Sequence, residues 1–152
     1  MNPIIQRALD SNFVDLGFAA WVPGEGLQIK NLDKLDEHNP GVYIMHSDNK
    51  IQKIGKSSAS LHRRLEGYRR FDLDRLAHPE TGRDKTSQRQ RRAIEKEGLD
   101  GLYVLAIQPE QTLIEYKKLG LFVRAFSFDA HHLEKQLIAK AKEEGNPLAF
   151  GS

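Results

Sequence analysis

The sequence predicts a single domain that mixes helices and β-strands, an α/β fold of the α+β kind. Alternating apolar residues on either side of residues 47–49 predict a β-hairpin, and the apolar run at 101–108 predicts a buried strand. Apolar residues at helical spacing within 130–144 predict a long amphipathic helix. A chain of 152 residues is long enough for one such core.

Residues 1–40 predict an N-terminal arm packed on this core. Ile4, Ile5 and Leu9 have helical spacing, which suits a helix followed by an irregular or extended segment. Residues 21–26 contain proline and glycine and break any helix, and a Pro-Gly pair ends the arm at residue 41.

The register of the predicted hairpin decides which side chains share a face. With a three-residue loop, His46 pairs with Lys50 and Tyr43 lies directly opposite Lys53. A two-residue loop would turn Lys53 to the other face. The juxtaposition of Tyr43 and Lys53 therefore depends on the odd loop length.

A helix is predicted directly after the hairpin. Ser58 or Ser60 can cap it, and it runs through residues 61–71. Arg64 and Tyr68 are four residues apart and therefore lie on one side of this helix.

The later segments predict a loop at residues 72–86, helices at 87–98 and 112–120, a strand at 121–128 and then the long last helix. Asp129 is a suitable N-cap for the last helix. Glu134 adjoins the apolar stripe of that helix, and a carboxylate placed there needs a partner such as a metal ion or a basic side chain.

The charge of the chain is concentrated in its middle. Residues 1–49, 50–96 and 97–152 carry net charges of −4, +8 and −2. A basic centre of this kind is typical of a polyanion-binding surface, although charge runs are also common on solvated helix faces.

Composition also limits the cofactors and the compartment. The chain has no cysteine, so any metal must use oxygen or imidazole ligands, which favours hard cations such as Mg²⁺. No run of about 18 apolar residues and no leader pattern is present, so a cytoplasmic location without membrane association is expected.

Several of these residues stand in an order that resembles the GIY-YIG endonuclease superfamily. Gly41-Val42-Tyr43 precedes Lys53-Ile54-Gly55, Arg64 follows in the next helix, and Glu134 and Asn146 stand near the C-terminus. The resemblance covers residues 41–147, so residues 41–152 are interpreted as the catalytic domain.

Lys53 departs from the usual pattern of the superfamily. Most members carry tyrosine at this position. A restriction-endonuclease branch is similar in carrying lysine there, with a tyrosine one helical turn after the arginine, as Tyr68 stands here. The chain therefore resembles that branch most.

The resemblance implies a small three-stranded antiparallel sheet flanked by helices, and a metal-dependent hydrolysis of DNA phosphodiesters. Glu134 would hold one Mg²⁺, or another divalent cation such as Mn²⁺. Tyr43 would take the proton of the attacking water, helped by the Lys53 ammonium, or Lys53 would itself be the base. Arg64 would brace the phosphate and Tyr68 would hydrogen-bond the phosphate or the water.

The remaining predicted residues support the site or bind DNA. Gly41, Gly55 and Asn146 would support it. Basic side chains would contact the flanking phosphates: Lys56, Arg63, Arg69, Arg70, Arg89 and Arg92. The expected partner is double-stranded DNA, cut by a homodimer on a symmetric site in the manner of a type II restriction enzyme, with no nucleotide cofactor. The N-terminal arm would cover the core, add DNA contacts or form a dimer interface.

Other interpretations of these residues stay open. Each site residue taken alone has a structural explanation, and His131 with Glu134 could bind a transition metal. A restriction-type core could instead use Asp100 with Glu115-Tyr116-Lys117 on a strand. The chain could also be a mobile-element or repair nuclease, or a DNA-binding module without catalysis.

Overall fold

The computed structural model describes residues 2–22, 26–47, 50–67, 101–116, 120–126 and 128–145. Three α-helices are present in these residues, α1 (Pro3–Asp10), α2 (Leu61–Glu66) and α3 (Ala130–Glu143), with a 3₁₀ turn at Leu32–Lys34. The strands are β1 (Val14–Val22), β2 (Gly26–Ile29), β3 (Gly41–Ser47), β4 (Lys50–Ser57), β5 (Leu102–Ile107), β6 (Gln111–Tyr116) and β7 (Leu121–Phe126).

A five-stranded antiparallel sheet organises the described part of the chain. Its order is β2-β1-β5-β3-β4, and β6 pairs with β7 in a separate two-stranded sheet. The predicted α/β class is confirmed, whereas the expectation of three strands is wrong, because β1 and β2 extend the sheet beyond β5.

The core is divided between the two faces of the large sheet. On one face, α2 buries Leu61 and Leu65 against side chains of β1, β3 and β5, among them Tyr43. We call this the α2 face. On the other face, α1 and α3 pack over β3, β4 and β5, where Ile44 and Ile54 are buried. We call this the α3 face.

A β-bulge interrupts β1, which the sequence predicts only as an irregular or extended segment. The pairing of β1 with β5 shifts between Asp15 and Gly17, and Gly17 has a φ of +80°. The bulge brings Leu16 and Ala19 into the same buried cluster although they are three residues apart. That spacing imitates a helix, so periodicity alone suggests the wrong element.

The prediction of a helix at residues 112–120 is also wrong. Residues Gln111–Tyr116 form β6, which pairs with β7 from Gln111 opposite Phe126 to Tyr116 opposite Leu121. The β-branched Thr112 and Ile114 favour a strand. Strand β7 itself confirms the strand predicted for this region.

The structure confirms the predicted N-terminal caps of two helices. Ser60, one of two predicted caps, accepts a hydrogen bond from the Arg63 backbone N at 3.2 Å and begins α2. Asp129 accepts hydrogen bonds from the backbone N of His131 and His132 at the start of α3, as predicted. The predicted loop at residues 72–86 and the basic helix at 87–98 lie outside the described residues. Within the described residues, no helix is long and apolar enough to cross a membrane.

Candidate active site

Gly55 is held against the ring of Tyr43. The two residues are cross-strand partners on β4 and β3. A Cβ atom built on Gly55 would overlap Cζ, Cε1 and the hydroxyl of Tyr43, whose side chain is completely buried. The close packing of this ring therefore requires glycine at position 55.

Gly41 has an equally direct packing reason. A Cβ atom there would collide with the carbonyl oxygen of Ile107 and lie 2.8 Å from Cδ2 of Leu61. Gly41 thus lets β3, β5 and the start of α2 approach one another. Both motif glycines therefore have a packing role, Gly55 against Tyr43 and Gly41 against Ile107 and Leu61.

The observed register of the hairpin differs from the predicted one. Ser47 pairs with Lys50, so the loop has two residues, and Met45 pairs with Lys53. The predicted direct pairing of Tyr43 with Lys53, and of His46 with Lys50, is therefore wrong.

A bulge nevertheless keeps Lys53 and Tyr43 on one face. The pairing shifts between Met45 and His46, so β4 contains one extra residue and Tyr43 lies opposite Gly55. Lys53 is two positions from Gly55 and is only partly buried. Diagonal cross-strand neighbours of this kind are about 7 Å apart, within reach of long side chains.

The helix α2 adds Arg63 and Arg64 on the same face. Its cap residue Ser60 also donates a hydrogen bond from Oγ to the carbonyl oxygen of Glu37 at 2.6 Å. Leu61 and Leu65 anchor the helix in the core, while Arg63 and Arg64 remain exposed. Tyr43, Lys53 and Arg64 thus belong to the α2 face.

Lys56 and Glu134 lie on the opposite face of the sheet. Lys56 pairs with Val42, which is buried beneath α3. Lys56 and residues of α3 surround a pocket of about 430 Å³. The residues that line it are Lys56, His131, Glu134, Lys135, Ile138, Ala139 and Lys142.

The pocket combines one carboxylate with several basic groups. Three lysines and one glutamate give it a net charge of +2 with a neutral histidine. This balance suits an anion such as a phosphate. The positions 131, 134, 135, 138 and 142 have the spacing of one helix face, so this spacing is the sequence signal for Lys135 and Lys142, which were not predicted.

Within the described residues, the two halves of the predicted site lie on opposite faces of the sheet and share the strand β4. β4 is the terminal strand of the five-stranded sheet in the described residues. Groups from its two faces can therefore approach one ligand at the edge of β4 that has no paired strand within the described residues. Tyr68, Arg69, Arg70, Arg89, Arg92 and Asn146 lie outside the described residues, as do Asp100 and Lys117.

The pocket fits a hard cation only together with a phosphate, because within the described part of the chain Glu134 is the single carboxylate that lines it and three lysines oppose a cation alone. No group of three or more metal-ligating side chains occurs among the described residues. Mg²⁺ commonly takes one or two carboxylates and fills its remaining positions with water and phosphate oxygens. Glu134, partly buried beside an open pocket, fits that pattern as the single carboxylate.

The alternative active centre around Glu115 lies on a strand, as it requires, but this strand belongs to a separate two-stranded sheet. Glu115 lies on β6, contrary to the helix expected there. However, β6 pairs with β7 apart from the large sheet. In the described residues, neither β6 nor β7 pairs with a strand of the hairpin.

Solved structures match the fold of this chain. No protein-family model matches it, and no match was found among curated proteins. The restriction endonuclease HPY188I, determined in complex with product DNA, matches with a TM-score of 0.56 and 18% identity, covering 100% of this chain and 87% of that one. A mutant of bacteriophage T4 EndoII matches with a TM-score of 0.55 and 14% identity, covering 98% of each chain. The chain therefore shares the fold of these two nucleases.

Proposed function

We propose that this chain is a metal-dependent DNA endonuclease of the GIY-YIG type that hydrolyses phosphodiester bonds, and that it acts as a type II restriction enzyme. The shared fold with a restriction endonuclease supports the class. The observation that carries the proposal is the arrangement around β4, which has Tyr43 and Lys53 on one face and Lys56 with Glu134 on the other.

On the α2 face, Lys53 is the better candidate for the general base. Tyr43 is 0% exposed, whereas Lys53 is only partly buried and accessible to solvent. In this proposal the Lys53 side chain acts in its neutral amine form, takes the proton from the attacking water and becomes an ammonium, and Tyr43, packed on Gly55, acts as a positioning residue. Arg64 would hold a non-bridging phosphate oxygen through its planar guanidinium.

On the α3 face, Glu134 would hold the divalent cation and Lys56 would bind a phosphate oxygen. The Lys56 ammonium donates a hydrogen bond to Ser58 Oγ at 3.1 Å, which holds it near the turn after β4. When bound, a divalent cation would stabilise negative charge on the scissile phosphate and the leaving oxygen. Lys135 and Lys142 would attract the backbone of the same DNA segment.

Cleavage of supercoiled plasmid tests the proposal. We expect nicked and linear products with Mg²⁺ and none with excess chelator. Lys53→Ala should lower the rate about 100-fold or more, since a general base contributes on that order. Tyr43→Phe keeps the buried ring and should retain most of the activity.

Control substitutions outside the proposed site show whether a loss of cleavage is specific to the site residues. Lys50 lies on the same strand β4, is exposed and pairs with Ser47 near the hairpin loop. Lys50→Ala should cleave like the unmodified protein. Glu115→Gln should also retain cleavage, and its failure would move the active centre to β6.

A DNA-binding module without catalysis is the main competing function. The lysine-rich pocket would serve it equally well. Duplex binding without nicking at several Mg²⁺ and Mn²⁺ concentrations would favour this function. The proposed homodimer is checked by sedimentation on a symmetric duplex, where a monomer that only nicks would contradict the restriction-type reaction.

A further inference from the structure

The side chain of Gln108, the residue that follows β5, holds the segment before β3 by three hydrogen bonds. Gln108 Oε1 accepts from the backbone N of Asp36 at 2.9 Å, and Gln108 Nε2 donates to the carbonyl oxygen of Asp36 at 2.8 Å. The same Nε2 donates to the carbonyl oxygen of Asn39 at 3.3 Å. The side-chain amide thus uses both its acceptor oxygen and its two-hydrogen donor on backbone groups.

The segment that this amide holds is also bonded to the first turn of α2. The backbone N of Leu61 donates to the carbonyl oxygen of Asn39 at 3.0 Å, and Ser60 Oγ donates to the carbonyl oxygen of Glu37 at 2.6 Å. The Asn39 carbonyl oxygen therefore accepts both from the amide after β5 and from α2. We call residues 36–39 the bridging segment, because they connect the end of β5 to the start of α2.

Close packing at Gly41 supports the same junction. A Cβ atom built on Gly41 would lie 2.8 Å from Cδ2 of Leu61 and 3.2 Å from Cγ of Gln108. Leu61 is buried and Gln108 is partly buried. The side chains of Gln108 and Leu61 therefore converge on Gly41, where β3 begins.

The position of α2 depends on such contacts because this helix is short. It has six residues, from Leu61 to Glu66, and isolated helices shorter than about 12–15 residues are marginal in water. Leu65, like Leu61, is buried, whereas Arg64 is exposed. The backbone N of Arg64 donates to the carbonyl oxygen of Ser60 at 3.1 Å, so a shift of the first turn would move Arg64 with it.

We propose that Gln108 is a positioning residue for Arg64, and that it acts through the bridging segment and the first turn of α2. The proposal rests on the proposed role of Arg64, which is to hold a phosphate oxygen. A guanidinium binds phosphate through a fixed fork of donors, so its contribution depends on direction as well as distance. β5 is the central strand of the five-stranded sheet. Gln108 therefore connects the start of α2 to the centre of the fold.

A double-variant cycle on the affinity for a fluorescently labelled DNA duplex, measured by anisotropy in excess chelator, tests this proposal. Gln108→Met has a similar shape and removes all three hydrogen bonds of the amide. We expect Arg64→Ala to weaken the Kd about tenfold, because a hydrogen bond to a charged group is lost. Gln108→Met should weaken it about threefold or more. The combination should bind no more weakly than Arg64→Ala alone, because Gln108 acts through Arg64.

Control variants separate positioning of Arg64 from a general loss of structure. Combined with Lys56→Ala on the α3 face, Gln108→Met should give losses that multiply, since Lys56 does not belong to α2. Gln136→Met, on an exposed position of α3, should bind like the unmodified chain. Gln108→Glu keeps the shape and the acceptor for the Asp36 backbone N but loses both donated bonds. It should show the same dependence on Arg64, and it takes the place of Gln108→Met in the cycle if that variant does not fold.

The nitrogen NMR signal of Arg64 Nε, assigned by its absence in Arg64→Ala, gives a second readout. Saturating duplex should shift this signal in the unmodified chain and shift it less in Gln108→Met. Losses that multiply fully with Arg64→Ala, an equal shift in both proteins, unchanged affinity of the Gln108 variants, or no duplex binding by the unmodified chain would overturn the proposal.

The failure of cleavage and the failure of positioning are distinguishable. Absence of plasmid nicking would refute the proposed endonuclease, and the cycle in chelator would still show whether Gln108 positions Arg64 on duplex DNA. Normal nicking with an additive cycle would refute the positioning role alone.

Discussion

At the scale of single residues, close packing explains why glycine stands at positions 41 and 55 of the hairpin. Gly55 has no space for a side chain because the Tyr43 ring fills it, and Gly41 is confined by Ile107 and Leu61. A sequence can suggest that such glycines matter. It cannot show which atom excludes the side chain, because that depends on contacts between strands.

Gly55→Ala should destabilise the fold by about 1–3 kcal/mol, because the buried Tyr43 ring must move to admit a methyl group. Urea denaturation measures this change. Gly67→Ala is the control: Gly67 has a φ of −57° and nothing lies within 4 Å of a Cβ atom built there. It should be neutral or slightly stabilising. Equal stability of both variants would contradict the packing account.

His46 gives the fold a component of pH-dependent stability. Burial lowers the pKa of His46 below 6.5, and the negative charge of Asp15 offsets this only in part. The unfolded chain therefore binds a proton near pH 6.5 that the folded chain does not yet bind. This contribution is fully present above that pH and is lost as the pH falls toward the lowered pKa.

The comparison of unfolding free energies at about pH 7.5 and about pH 5.5 measures this component. His46→Gln should lose less stability between the two pH values than the unmodified chain does. An identical decrease in both proteins would show that other groups account for it.

At the scale of elements, two bulges mark the limit of prediction from the sequence. The hairpin and β5 follow from apolar alternation and runs, and the starts of α2 and α3 follow from helical spacing and the cap residues Ser60 and Asp129. The bulge in β1 gives its buried residues a helix-like spacing, so the strand is not evident from the sequence. The bulge in β4 changes the register between β3 and β4. A bulge adds one residue without a composition signal, so the pairing of Tyr43 had to be observed.

Ser60 connects α2 to the segment before β3 as well as capping the helix. Ser60→Ala removes the acceptor for the Arg63 backbone N and the donor to the Glu37 carbonyl oxygen. We expect a loss of about 1–2 kcal/mol in the free energy of unfolding, measured in urea.

Ser58→Ala is the control for that prediction, since Ser58 is exposed and its Oγ accepts a hydrogen bond from Lys56. It should change stability by less than about 0.5 kcal/mol. A greater loss at Ser58 than at Ser60 would contradict the capping assignment.

At the scale of the whole molecule, the described residues place basic groups on both sides of β4. Lys53 and Arg64 belong to the α2 face, whereas Lys56 lies with Lys135 and Lys142 at the α3-face pocket. Lys53, Lys56 and Arg64 belong to the basic middle of the sequence, where residues 50–96 carry +8, whereas Lys135 and Lys142 come from the segment that carries −2. From the sequence, only the predicted role of Glu134 indicates that α3 lies beside the hairpin. The fold in addition places Lys135 and Lys142 next to Glu134.

Duplex binding should consequently depend strongly on salt. A protein that contacts about six phosphates loses affinity with a slope of about −5 in a plot of log K against log salt concentration. Lys56→Ala should reduce the magnitude of this slope by about 1 in chelator-containing buffer. Lys50→Ala serves as the control, and an affinity independent of salt would contradict a phosphate-binding surface.

The central claim is that groups from both faces of β4 form one active centre. A double-variant cycle of Lys53→Ala, Glu134→Gln and their combination, measured in the plasmid assay with Mg²⁺, tests this claim most directly. Glu143→Gln, on the exposed side of α3, is the control. We predict that each single change lowers the cleavage rate about 100-fold or more and that the combination is no slower than the slower single variant. Normal cleavage by Glu134→Gln, or losses that multiply fully in the combination, would contradict a single centre at this edge.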